Sequence, residues 1–344
     1  MRVKKLILAF GVLLTLLIAF NFKAIQYGIQ QGIGQAEVLW DAKPIDELML
    51  DTQFSDSIKQ QFIFIEEVKE FAETELGLKP TENYSTFYDQ KGEPILWVVT
   101  ASPEFKIEAK EWCFPIAGCF PYKGSFDLEI AEKEEALWKQ KGFDTEIDEV
   151  NAWSTLGWFK DPILSSMLKR SKGRLAELII HESTHATLYV KDSVQFNENL
   201  ASFIGRKGSE LFLQSQFGAE SKELEEYRDS QLKNKIFRNY MRQSIHKLDS
   251  LYASLQADLD LESKRAQKKL WIEQLKDGIL ETIYYKNDTI GRERLKKFNP
   301  NNAYFSAFST YSKGLPSLKI QLNKEFNGNL KQMIDSFEKK YESL

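Results

Sequence analysis

Histidine is the scarcest informative residue in this chain. There are three in 344 residues, and two of them, His181 and His185, stand four apart. Cysteine is almost as rare: the only two, Cys113 and Cys119, leave too few thiolates for a metal site built from cysteine alone. An excess of positive charge is also missing. Lys and Arg number 46 against 50 Asp and Glu, so the chain has no general basic field to attract nucleic acid. The nine prolines are too few for a disordered or collagen-like chain, while 42% hydrophobic residues describe an ordered globular protein. No internal repeat or low-complexity block is present. Its length suits one enzyme-sized unit.

One long apolar run does occur, at the N-terminus. Arg2, Lys4 and Lys5 precede Leu6 to Phe20, and Asn21 and Lys23 follow. This layout fits an export signal or a membrane anchor spanning residues 1–25. No clear small-residue cleavage site follows Phe20, which favours an uncleaved anchor with its basic end in the cytoplasm. The rest of the chain, 26–344, would then be a single domain in the cell envelope on the far side of the membrane, or a secreted one if the segment is cleaved. In that compartment Cys113 and Cys119 read as a disulfide closing a short Pro- and Gly-containing loop, against the alternative of a buried thiol pair.

The densest chemistry lies in His181-Glu182-Ser183-Thr184-His185. Residues i and i+4 share a helix face, so both imidazoles can reach one ion, and Glu182 can reach a water on it. Residues 174–190 carry the helical period through Leu175, Leu178 and Ile179. Asp192 and Ser193 break it, and a second helix beginning near Phe196 carries Asn197 and Glu198. A turn between the two can return Glu198 to the histidines. Two histidines and one glutamate leave a fourth position for water, the open coordination of catalytic zinc. His246, among long helices, reads as an ordinary solvent-facing residue.

Elsewhere, residues 54–76 repeat at three and four, an amphipathic helix ended by Gly77 and Pro80. Ile95 to Ala101 reads as a strand, Phe120 to Ile130 as a second strand around a Gly turn at 122–126, and 131–142 as a solvated helix. If the strand at 95–101 lies on a sheet edge, it can bind an extended peptide by backbone pairing. The aromatic stretch 151–159, with Trp153 and Trp158, reads as core or as the wall of a cleft. From about 206 to 344 the pattern is mainly helical, with breaks at Gly278 and at Asn287-Asp288 and a closing amphipathic helix over 315–344.

His181-Glu182-Ser183-Thr184-His185 followed by Asn197-Glu198-Asn199-Leu200-Ala201 resembles the gluzincin metallopeptidases. More narrowly, the chain resembles a bacterial family described as predicted aminopeptidases, through Trp112 to Cys119, Ser154 to Pro162, the histidine stretch and Asn301-Asn302-Ala303-Tyr304. The resemblance implies a predominantly helical α+β, zincin-like domain with a small sheet and long C-terminal helices. It implies one Zn2+ per chain held by His181, His185 and Glu198, with Glu182 as general base and a peptide as substrate. Aminopeptidase specificity rests on the resemblance alone; an endopeptidase with the same site and a metal-free, membrane-anchored binding protein are the other readings. Tyr311, with Tyr304 close behind, is the candidate oxyanion donor. Two departures stand out. No lipoprotein cysteine follows the apolar run, and Ser202 stands where related sites place a histidine-orienting aspartate.

Overall fold

The computed structural model describes residue 22 and residues 24–341, apart from 115–117, 151–159, 192, 256–257, 283–288 and 311–314. The protein is mostly helical with small sheets. Helix α1 spans residues 24–41 and ends where Pro44 interrupts the helical path before α2 (Ile45–Leu50). Helix α3 (Asp56–Thr74) buries Phe62, Ile65, Val68 and Ala72, whose spacing by three and four puts them on one face. No helix among the described residues is long and apolar enough to cross a membrane. The run Leu6 to Phe20 lies outside those residues.

Three small sheets lie among the described residues. Strands β1 (Lys43–Pro44), β2 (Thr86–Tyr88) and β8 (Ile163–Leu164) form the first, with β2 antiparallel to β1 and parallel to β8. In the second, β3 (Leu96–Pro103) lies between β6 (Lys123–Ser125) and β7 (Phe143–Val150), antiparallel to both. The third is the hairpin of β4 (Trp112–Phe114) and β5 (Gly118–Phe120), closed by the Cys113–Cys119 disulfide. The strand expected at 95–101 is therefore an interior strand, and its pairing on both sides removes the free edge that peptide addition needs. Phe120 to Ile130 is not one strand either. It is divided among the end of β5, β6 and the start of α4 (Leu128–Gln140), where Asp127 caps the helix by accepting from Glu129 N–H.

The main core joins α3, α5 (Lys172–Thr187), α6 (Val194–Phe217), α11 (Leu315–Glu325) and α12 (Leu330–Tyr341) to the first sheet. Asn327 and Gly328, both with positive φ, separate α11 from α12, so the closing helix is two helices. A second core gathers Met241, Ile245 and Leu248 of α7 (Lys222–Ser254) with residues of α8 (Leu261–Leu280), α9 (Thr289–Lys297) and α10 (Asn302–Thr310). Helix α7 joins the two, placing Leu224 and Tyr227 in the main core. Gly278 does not break α8; it lies within it, where an added Cβ would collide with the Tyr240 hydroxyl.

The helical C-terminal half is fastened to the second sheet by one polar knot. Lys268 of α8 pairs with Asp144 of β7 and donates to the Glu104 carbonyl, 2.8 Å. Asn302 donates its backbone N–H to Asp144 and its amide to the carbonyls of Pro103, Glu104 and Lys106, and accepts from Tyr252. With side chains only 9% and 17% exposed, Lys268 and Asp144 form a nearly buried pair. Removing one member leaves an uncompensated charge. Lys268→Ala is expected to lower unfolding stability by about 3 kcal/mol, measured by denaturant titration, and adding Asp144→Asn to it should restore much of the loss.

Candidate metal centre

Two helices build the site. Leu175, Ala176, Ile179 and Ile180 bury one face of α5 in the main core, which fixes the direction in which the neighbouring face presents His181 and His185. The chain then turns and returns as α6. Asn197, 2% exposed, clamps that turn by accepting from Val190 N–H at 2.9 Å and donating to Val190 C=O at 2.8 Å. The next residue, Glu198, is thereby set against the histidines. Gly205 permits the close crossing, since a Cβ there would lie 2.8 Å from the Glu177 carbonyl oxygen and 3.2 Å from His181 Cβ.

The three groups converge. His181 Nε2 and His185 Nε2 are 3.1 Å apart, and Glu198 oxygens lie 3.6 Å from the first and 3.4 Å from the second. Ligand atoms about 2.0–2.2 Å from a tetrahedral zinc are about 3.3–3.6 Å from one another, so this spacing fits three corners around one ion. The donor set, two imidazoles and a carboxylate, suits zinc. The electrostatics agree with a cation site. Burial disfavours a positive charge on His181, yet Glu198, Glu182 and Glu177 together raise its proton affinity above the ordinary value. Burial works against the Glu198 carboxylate too, but the bonds from His181 and His185 hold its pKa down at about 2.

Glu182 follows His181 on α5, and its Oε2 is buried. Tyr84 lies nearby. Burial first, then the carboxylates of Glu182 and Asp161, push its phenol well above the usual range. Tyr84 donates its backbone N–H to Asp161 C=O at 2.7 Å, and Asn83 Oδ1 accepts from Asp161 N–H at 3.1 Å. The end of the Ser154 to Pro162 stretch is therefore fixed to Asn83 and Tyr84, while 151–159 fall outside the described residues. Tyr122 is likewise near the site, its phenol raised by burial and then by Glu198. Sequence reasoning named neither tyrosine, because only pairing distant in sequence brings them here.

Of the remaining candidates, Tyr311 lies outside the described residues. The ring of Tyr304 packs against Phe298, Phe305 and Phe308 in the second core. His246 is exposed on α7, as its surroundings in the sequence suggest. His185 Nδ1 is buried without a hydrogen-bond partner among the described residues, consistent with serine in place of aspartate at position 202.

A mostly helical domain with an HExxH helix, crossed by a second helix bearing a carboxylate, is the class these observations define. The chain belongs to the family described as "Putative aminopeptidase", whose model matches residues 26–343. No curated protein and no solved structure matches it.

The Asn197 clamp is testable by itself. Asn197→Ala leaves a backbone N–H and a C=O of the turn without their partner, at a cost of about 1–3 kcal/mol. Asn197→Asp keeps the acceptor but sets a buried carboxylate oxygen against the Val190 carbonyl, so it should not restore the clamp; chemical denaturation of both variants measures the difference.

Proposed function

We propose that the protein is a zinc-dependent peptidase of the gluzincin type, acting as an aminopeptidase from a membrane-anchored position in the cell envelope. The observation that carries this reading is the convergence of His181 Nε2, His185 Nε2 and the Glu198 carboxylate within 3.1–3.6 Å of one another. Zinc bound by these three side chains would supply Lewis acidity and a water of lowered pKa. Glu182 takes the proton from the attacking water and delivers it to the departing amine. Tyr84 is buried close enough to Glu182 for that carboxylate to raise its phenol. A phenol serves as oxyanion donor, either Tyr122 among the described residues or Tyr311 beyond them. Peptide-bond hydrolysis follows from the family, and the free-amine requirement is developed below.

The anchored position is supported by two features. The basic-then-apolar N-terminal run is one. The other is an exposed apolar stripe, formed by Phe22, Ile25, Ile29 and Ile33, that continues from that run along α1. The spacing of three and four places all four side chains on one face.

The test is metal content and turnover of full-length protein in detergent, purified without a metal-binding tag. The wild type should carry about one zinc per chain, and His185→Ala should lose it. Glu182→Gln should keep the metal while its kcat on aminoacyl substrates falls by a factor of about 100 or more. Failure of the wild type to take up zinc would overturn the reading. If Tyr122→Phe lowers kcat with KM unchanged, Tyr122 is the oxyanion donor.

A further inference from the structure

The sheet of β6, β3 and β7 has two faces. Trp97, Val99, Ala101, Phe143 and Ile147 face α4 and form a small core with it. Strand alternation sends Leu96, Val98, Thr100, Ser102, Asp144, Glu146, Asp148 and Val150 to the other face. Leu96, Val98 and Val150 there pack into the main core, which also holds Ile179, Ile180 and Leu200 of the two metal-site helices. This face therefore packs on the same core as the two metal-site helices.

Its polar groups fall into two sets. At one end everything is matched: Asp144 has Lys268 and Asn302, and Ser102 donates to the Lys106 carbonyl. One step along the strand the matching stops. Thr100, 6% exposed, has an Oγ1 with no hydrogen-bond partner among the described residues. Directly opposite it in the register stands Glu146, whose Oε2 is buried and equally without a partner among them. Asp148, the next residue on that face, has no ion pair or hydrogen bond among them either. A buried threonine hydroxyl, the half-buried carboxylate of Glu146 and the exposed one of Asp148 thus share one patch without a cation among the described residues. Burial and then Asp148 raise Glu146 to about 7, and burial raises Asp148.

The patch is also within reach of the metal site. Lys123 of β6 pairs with Val99, the residue before Thr100, and Tyr122 is the residue that precedes β6. Tyr122 is the phenol on which Glu198 bears.

We infer that Thr100, Glu146 and Asp148 form an ammonium subsite, in which the two carboxylates pair with the charged amine of a peptide substrate and Thr100 Oγ1 completes its hydrogen bonds. An ammonium offers three donors and no acceptor, which suits an all-acceptor patch of carboxylate and hydroxyl oxygens. The inference rests on the peptidase reading only for the ligand being a peptide.

Because binding is measured without turnover, failure of either idea can be told apart. Calorimetric titration of the full-length Glu182→Gln protein with tri-alanine and with its N-acetyl form is the first arm. The free-amine peptide should bind at least about 10-fold more tightly, and adding Glu146→Gln or Asp148→Asn should remove most of that difference. A second arm compares N-acetyl-Lys-Ala-Ala with its norleucine counterpart. A Glu146-dependent preference for free tri-alanine assigns the subsite to the α-amine, and one for the lysine peptide assigns it to a side-chain ammonium. Equal affinities in both arms, or preferences untouched by Glu146→Gln, overturn the subsite. The melting temperature supplies an independent check. A carboxyl with a raised pKa in the fold destabilises it as pH climbs through the unfolded value toward about 7, so Glu146→Gln should melt at the same temperature at pH 4 and at a higher one at pH 8. A lower melting temperature at pH 8 would mean that Glu146 already has a partner in the free protein, and would overturn the proposal.

Discussion

The close crossing of α5 and α6 is the constraint on which the rest depends. Two imidazole nitrogens and a carboxylate are gathered within 3.1–3.6 Å, and attraction between the histidines and Glu198 does not by itself bring two helices this close. The backbones bring them there. Gly205 lets α6 approach the Glu177 carbonyl and His181, and Gly208 does the same against Leu76 and Ile180 one turn later. Ile179, Ile180, Leu200 and Ile204, all essentially buried, supply the stabilisation that offsets the cost, at about 1.5–3 kcal/mol for each large aliphatic side chain.

From that crossing outward, the remaining architecture reads as support. The core below holds α5 and α6 in register. Helix α7 belongs to both cores and ties the crossing to α8 and α10, which reach the second sheet through Lys268, Asp144 and Asn302. On the far side, Tyr27 of α1 stacks on Phe114, Phe114 lies against Phe120, and Phe120 against Tyr122. The Tyr27 hydroxyl also donates to the Gly124 carbonyl at 2.7 Å. A continuous row of rings therefore links the helix nearest the N-terminal apolar run to the phenol beside Glu198, and the Cys113–Cys119 disulfide closes the hairpin that carries the middle of the row.

What could be read in the sequence follows from where the information sits. His181, His185, Glu182 and Glu198 share one pair of consecutive helices, so a period of four and a short turn were enough to bring them together. Helices α3 and α5 were legible for the same reason, their apolar residues recurring at three and four. The sheet was not. Phe143–Val150 carries four acidic residues in eight positions, and its strand character comes from pairing with β3, some fifty residues earlier in the chain. The edge role read for the strand at 95–101 failed likewise, because periodicity reveals a strand but not its neighbours. Tyr84 and Tyr122 gave no local signal at all. Their positions depend on Asp161 and on β6, both remote from the histidines.

Strand β7 shows how one element can carry both structural and chemical charge. Asp144, Glu146 and Asp148 lie on the same face at successive alternate positions, yet among the described residues only the first meets a lysine. Had packing alone set these residues, an apolar side chain at 146 would cost nothing and would remove the orphaned oxygen, since buried polar atoms in folded proteins are paired with few exceptions. Backbone pairing of β7 along the whole of β3 can carry that cost, because eight paired residues do not depend on what one side chain does. An unmatched carboxylate is thus tolerated where the backbone is best held and where a small cation can still enter. Among the described residues, that describes the floor beside Tyr122, and it gives the sheet a chemical role separate from that of the helices that gather the histidines.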